Sequence, residues 1–203
     1  MIKTLIFDFG NVFINLDIEG ASNYALESFK INSLSEEIIA FNSFYEQGLI
    51  STEEFIEFYS ENFPNLTTEE LVYIWNYILK DFPKHRLEFL KKLKSEKKFK
   101  LILLSNTNEL HINWIKEHVP FFTEFKNCFD AFYLSHEINL RKPNADIFEF
   151  VLNENKLAAS ECLFIDDNLE NCKTATKLGI HIWNIQPETQ DVSNLFETKS
   201  SLF

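Results

Sequence analysis

What this 203-residue chain lacks narrows its roles before any motif is read. It holds no run of about 18 apolar residues, so nothing in it reads as a membrane-spanning helix. Positive charge is scarce: 19 Lys and Arg against 31 Asp and Glu give a formal net charge of −12. Such a surface argues against nucleic acid or an anionic membrane as a partner. An anionic substrate would therefore need local positive charge or a metal. The three cysteines, Cys128, Cys162 and Cys172, show no Cys-x-x-Cys spacing, and their odd number argues against a disulfide framework. They read as reduced thiols in or near the core. The N-terminus lacks a basic segment, a long apolar stretch and a small-residue cleavage site, which makes the cytoplasm the default expectation. His85, His111, His118 and His136 show no metal-site spacing and receive no role. Internal repeats and low-complexity tracts are absent.

What is present suits one well-formed core, or one domain with a sizeable insertion. Apolar residues make up 45% and charged residues 25%, ordinary values for a globular protein. The 22 Phe are unusual and imply aromatic packing surfaces. Ile2, Leu5, Ile6 and Phe7 form a short apolar run that predicts a buried strand of a parallel sheet. Asp8 ends that run, and Gly10 offers a sharp backbone departure just beyond it. Phe13 to Asp17 alternates apolar and polar residues, like a short hairpin or a flap.

From about Ile18 to Phe82 the pattern turns helical. Ala21, Tyr24, Ala25, Ser28 and Phe29 follow a 3.6-residue period, as do Ile38, Phe41, Phe44 and Tyr45. Ser51 with Glu54, and Thr67 with Glu70, make capping boxes that open two more helices. Phe41, Phe44 and Tyr45 suit the core of this bundle better than a sugar-binding face. Leu87, Leu90 and Leu93 lie on one face of a further helix, whose lysines fit a solvated surface. Strands are then predicted at Phe99–Leu104, Ala131–Leu134, Cys162–Ile165 and Ile180–Ile185, with helices between them and Gly179 ending the last. The expected fold is an α/β, Rossmann-like parallel sheet with helices on both faces. Its first crossover takes about 90 residues where a βαβ unit needs on the order of 30. The excess is a four-helix cap over residues 17–82, inserted in a core of residues 1–16 and 83–203.

Polar residues collect at strand ends: Asp8, Ser105-Asn106, Arg141-Lys142 in the loop after the third strand, and Asp166-Asp167. In open α/β sheets these ends face one crevice, where ligands bind. Each also has an ordinary alternative, since Asp8 suits a turn, Ser105, Asn106 and the acidic pair suit helix caps, and Lys142 suits the surface. All of them recurring at equivalent ends of one sheet favours a site.

The ordered set Phe7-Asp8-Phe9-Gly10-Asn11-Val12, Leu104-Ser105-Asn106-Thr107, Arg141-Lys142-Pro143 and Phe164-Ile165-Asp166-Asp167-Asn168 resembles the four motifs of the haloacid-dehalogenase-like (HAD) superfamily. The resemblance covers essentially the whole chain and is strongest to capped bacterial phosphatases of sugar phosphates such as glucose 1-phosphate. It implies a phosphatase of a small phosphorylated metabolite. Asp8 would be the nucleophile, forming an aspartyl-phosphate that water hydrolyses. Ser105 and Asn106 would bind the phosphoryl oxygens, and Lys142 would offset charge. Asp8, the Gly10 carbonyl, Asp166 and Asp167 would hold Mg²⁺, which prefers hard oxygen ligands.

One departure from the family matters. Most phosphatases of the superfamily carry a second Asp two places after the nucleophile, as general acid and base; here that place is Gly10. General acid–base help is typically worth ~10²–10⁴-fold, so its loss favours a leaving group that departs readily, such as an anomeric hydroxyl. Asp17 or a metal-bound water are other ways to replace it. Two further readings remain: a 2-haloacid dehalogenase using Asp8 without metal, and a non-enzymatic phosphate-binding protein.

Overall fold

A computed structural model describes residues 1–203. The chain runs β1 (Thr4–Phe7), α1 (Ile18–Phe29), α2 (Glu36–Glu46), α3 (Thr52–Asn62), α4 (Thr68–Asn76), α5 (Lys84–Glu96) and β2 (Lys100–Ser105). It continues through α6 (Glu109–His118), α7 (Phe122–Asn127), β3 (Ala131–Leu134), α8 (Ser135–Ile138), α9 (Ala145–Glu154) and β4 (Cys162–Asp166). The last elements are α10 (Leu169–Lys177), β5 (His181–Asn184) and α11 (Leu195–Thr198). The five strands form one parallel sheet in the order β3-β2-β1-β4-β5, so β1 lies at its centre.

Alternation along buried strands divides the core in two. Leu5, Phe7, Leu101, Leu103, Leu163 and Ile165 enter a large cluster that also holds Phe9, Phe13, Phe82, Phe125 and Phe129. Ile6, Ile102, Leu104, Cys162 and Phe164 point to the other face, against Ile147, Phe148, Val151 and Cys172. Much of the phenylalanine excess sits in the first cluster, where Phe125 meets Phe9 and Phe13 at ring-centroid distances of 5.0 Å. All three cysteines are buried and free.

The four predicted helices of the insertion form, and both capping boxes close as expected. Their core contains Ile38, Tyr45, Phe55, Tyr59 and Leu71. A short antiparallel ladder forms where the chain enters and leaves this helical unit. Asn15 N–H donates to the Asp81 carbonyl at 2.9 Å, Lys80 N–H to Asn15 at 3.0 Å, and Asp17 N–H to Ile78 at 2.9 Å.

Three local expectations change. Residues 13–17 are no flap, because Phe13 and Ile14 are both buried in the core. Gly10 is not the left-handed residue of the turn; Asn11 is, at φ 54°. A helix, α7, fills the stretch after Pro120, where no element was expected. The lysines of α5 do lie on a solvated face, with ion pairs such as Lys91–Glu124 at 2.7 Å. No helix is long and apolar enough to cross a membrane.

Candidate active site

Asp8 leaves the end of the central strand, its N–H donating to the Ile165 carbonyl at 2.9 Å. Its side chain caps no turn. Lys142 Nζ lies 2.8 Å from Asp8 Oδ1 and 2.6 Å from Asp166 Oδ2, joining two strand ends through one ammonium. All three residues are buried, and Lys142 is only 1% exposed. A lysine so enclosed stays charged because Asp166 and Asp8 outweigh burial and raise its pKa. For Asp8, burial dominates, and repulsion from Asp166 and Asp167 adds to it against the pull of Lys142. Its pKa is pushed up to about 7.

Asparagines hold the carboxylates in place. Asn11 Nδ2 donates to Asp167 Oδ2 at 2.8 Å, while Asn11 Oδ1 accepts the Leu16 N–H at 2.9 Å. Its left-handed backbone is tolerable because Asn is among the few residues that visit that region. Asp166 accepts the Asn168 N–H at 2.7 Å and the Asn171 side-chain amide at 3.0 Å. Asn168, not the acidic pair, caps α10, and Asn108, not Ser105, caps α6. Asn106 forms a reciprocal pair with the backbone of Lys142, donating at 2.8 Å and accepting at 2.9 Å. It therefore fixes the loop that delivers the lysine.

Ser105 and Asn106 line a crevice of about 140 Å³ together with Gly10, Leu16 and Glu46. A Cβ at Gly10 would lie 2.6 Å from Leu16 Cδ1, so any larger residue there requires the end of the Leu16 side chain to turn aside. Asp17 is not free to replace the missing acid. It accepts the Gly20 N–H at 2.8 Å as the cap of α1 and faces Lys80 at 3.4 Å.

The set has the chemistry of a divalent-cation site. Oxygens of Asp8, Asp166 and Asp167 lie within 4.8 Å of one another. Three carboxylates against one ammonium leave a local surplus of negative charge that a dication would cancel. Asp8 Oδ2 and Asp167 Oδ1 take no hydrogen bond from another residue, and the Gly10 carbonyl accepts none. Asp166 has both oxygens engaged, so it acts first on Lys142.

Residues 2–179 match the family model described as haloacid dehalogenase-like hydrolase. The chain belongs to that family. The hydrolase is 27% identical to a D-ribitol-5-phosphate phosphatase of Bacteroides thetaiotaomicron over 93% of either chain. It also resembles a HAD family enzyme from the same organism, solved with magnesium and inorganic phosphate. There the identity is 33%, coverage is 97% of the hydrolase and 100% of that chain, and the TM-score is 0.84. A predicted HAD-like hydrolase from Porphyromonas gingivalis superposes with a TM-score of 0.83 at 26% identity, over 98% of both chains.

Five residues that contact the site's aspartates or tie the cap to the sheet had no role from the sequence: Asn11, Glu46, Ser135, Asn171 and Asn184. Asn184 donates to the Asp167 carbonyl at 2.8 Å. Ser135 accepts the Thr107 N–H at 2.9 Å and donates to the Glu46 carbonyl at 2.5 Å, tying the cap to the second strand end. A polar residue at the end of a strand was the available signal for Asn184; the others depend on tertiary docking.

Proposed function

We propose that the protein is a Mg²⁺-dependent phosphatase of a small sugar phosphate, with Asp8 as nucleophile. The observation that carries this is Asp8 at the central strand end, one oxygen fixed by Lys142 and the other unpartnered. One carboxylate oxygen of Asp8 attacks phosphorus in line with the ester oxygen while the other stays available to the metal; the P–O bond to the leaving group breaks, the departing oxygen takes a proton from solvent, and an aspartyl-phosphate forms. Water then attacks that phosphorus, releasing inorganic phosphate and restoring the carboxylate. Lys142 offsets repulsion between Asp8 and the incoming anion, while Ser105 Oγ and the Asn106 N–H donate to phosphoryl oxygens. Asp8, Asp167 and the Gly10 carbonyl would hold Mg²⁺, with Asp166 close behind. When bound, the ion polarises the phosphoryl group and neutralises charge on it. The magnesium and phosphate of the Bacteroides relative support the same assignment.

No side chain at Gly10 can protonate a departing oxygen, so the favoured substrates carry good leaving groups, anomeric phosphates above all. With Mg²⁺ present, kcat/KM for glucose 1-phosphate should exceed that for glucose 6-phosphate and D-ribitol 5-phosphate. Equal or reversed values would defeat the anomeric assignment, and halide release from a 2-haloacid would point to a dehalogenase instead.

Gly10→Asp supplies the missing acid. Combined with Leu16→Ala, which clears the contact at 2.6 Å, it should raise kcat for glucose 6-phosphate more than for glucose 1-phosphate. The upper limit is the ~10²–10⁴-fold that general acids contribute. A folded double variant without gain would mean the site is built around the glycine.

A further inference from the structure

The crevice over Gly10 adjoins a second cavity, of about 260 Å³, within the cap. The two share Glu46, Ile78 and His111. Twelve of the sixteen residues lining the cap cavity are apolar. Of the polar ones, Asn42 Oδ1 is taken by the Tyr59 hydroxyl at 2.7 Å. His111 has both ring nitrogens engaged, by the Asn108 amide and the Trp75 carbonyl, each at 3.1 Å. Burial holds its pKa down at about 4, so it is neutral at pH 7. Glu46 is then the one charged side chain lining either cavity.

Glu46 is held from two directions. Its carbonyl accepts the Ser135 hydroxyl, and Arg141 Nη2 reaches its Oε2 at 2.6 Å, leaving Oε1 without a partner. Arg141 immediately precedes Lys142, so one loop fixes both the carboxylate at the strand end and the carboxylate on the cap. The arginine also offsets a charge that would otherwise repel an anionic substrate. A fixed, half-satisfied carboxylate between a largely apolar chamber and the crevice that holds Ser105 and Asn106 is a hydrogen-bond acceptor awaiting donors. A leaving group without hydroxyls would bury it unpaired.

We propose that Glu46, positioned by Arg141, is a specificity residue that accepts hydrogen bonds from hydroxyls of the leaving group, restricting the enzyme to polyhydroxylated phosphate esters. This rests on the phosphatase reading and adds the group that reads the sugar. Sites built to bond a substrate hydroxyl can reject analogues lacking it by factors of about 10⁴.

The test compares wild type with Glu46→Gln and Glu46→Ala on glucose 1-phosphate and on acetyl phosphate, an acyl phosphate without hydroxyls, all with Mg²⁺. Circular dichroism establishes that each variant is folded. The expected result is a loss on the order of 10²-fold in kcat/KM for glucose 1-phosphate, mostly in KM, with less than a threefold change for acetyl phosphate. Equal losses on both substrates would make Glu46 a cap-docking residue and overturn the proposal, as would no loss on either. Wild-type activity on acetyl phosphate but on no hydroxylated ester would overturn the proposal while leaving the phosphatase reading intact. No phosphate release from any ester would remove that reading, and the proposal with it.

Discussion

Lys142→Met should abolish turnover and destabilise the fold by about 3–5 kcal/mol at neutral pH, the usual cost of breaking a buried ion pair from one side. Methionine fills much of the lysine's volume, so the loss is electrostatic rather than a cavity. Asp8 and Asp166 would face each other inside the protein with no ammonium between them. The sign of the pH dependence follows from the groups. The Lys142 pKa is raised above 10.5, so its contribution is fully present at neutral pH and is lost only above that range. In the variant the penalty comes from buried carboxylates, and it shrinks as acid protonates Asp8. Urea unfolding of metal-free protein at pH 7.5 and pH 5 measures both effects. A variant as stable as wild type at pH 7.5 would show that the pair contributes nothing.

Asp8→Asn should produce the opposite change in stability with the same loss of function. Without its nucleophile the enzyme should lose at least about 10³-fold in kcat. Yet the carboxylate is held in the fold at a cost. Burial, with Asp166 and Asp167 nearby, lifts its pKa from 3.8 to about 7, so the folded state binds more protons than the unfolded one between those values. Stability therefore falls as pH rises from about 4 to about 7, and the deficit is complete above that window. Asn carries no such charge. Metal-free Asp8→Asn should melt above wild type at pH 8, and the difference should close towards pH 4. A lower melting temperature at pH 8 would mean that Lys142 more than compensates for the burial of Asp8. The two variants together separate a group kept for chemistry from one that also holds the fold.

Most of the architecture was legible because its signals are local. Leu5, Ile6 and Phe7 had to form a strand buried on both faces, and Ser51 with Glu54 had to open a helix. Asp8, Asp166 and Asp167 could be gathered because parallel topology places strand ends side by side, and Lys142 because its loop follows the third strand. What escaped depended on distance in the chain. Glu46 looks like one more acidic residue on α2 until Ser135 and Arg141, far along the sequence, fix its backbone and side chain. Gly10 was credited with the turn on conformational grounds, but Asn11 makes it, and what lies against Gly10 is the end of the Leu16 side chain. Pro120 ends α6 plausibly enough to hide α7 behind it, whose Phe122 and Phe125 serve the aromatic core.

The ladder joining residues 15–17 to 78–81 has a consequence for how such an enzyme can change. Entry to and exit from the helical unit lie side by side, so a short hairpin turn could replace everything between them without altering the path of the sheet. The unit is a cassette plugged into one socket. Lengthening, trimming or exchanging it would redraw the chamber around the leaving group while β1 and β4 went on presenting the same carboxylates. Recognition and bond breaking are thus open to revision one at a time.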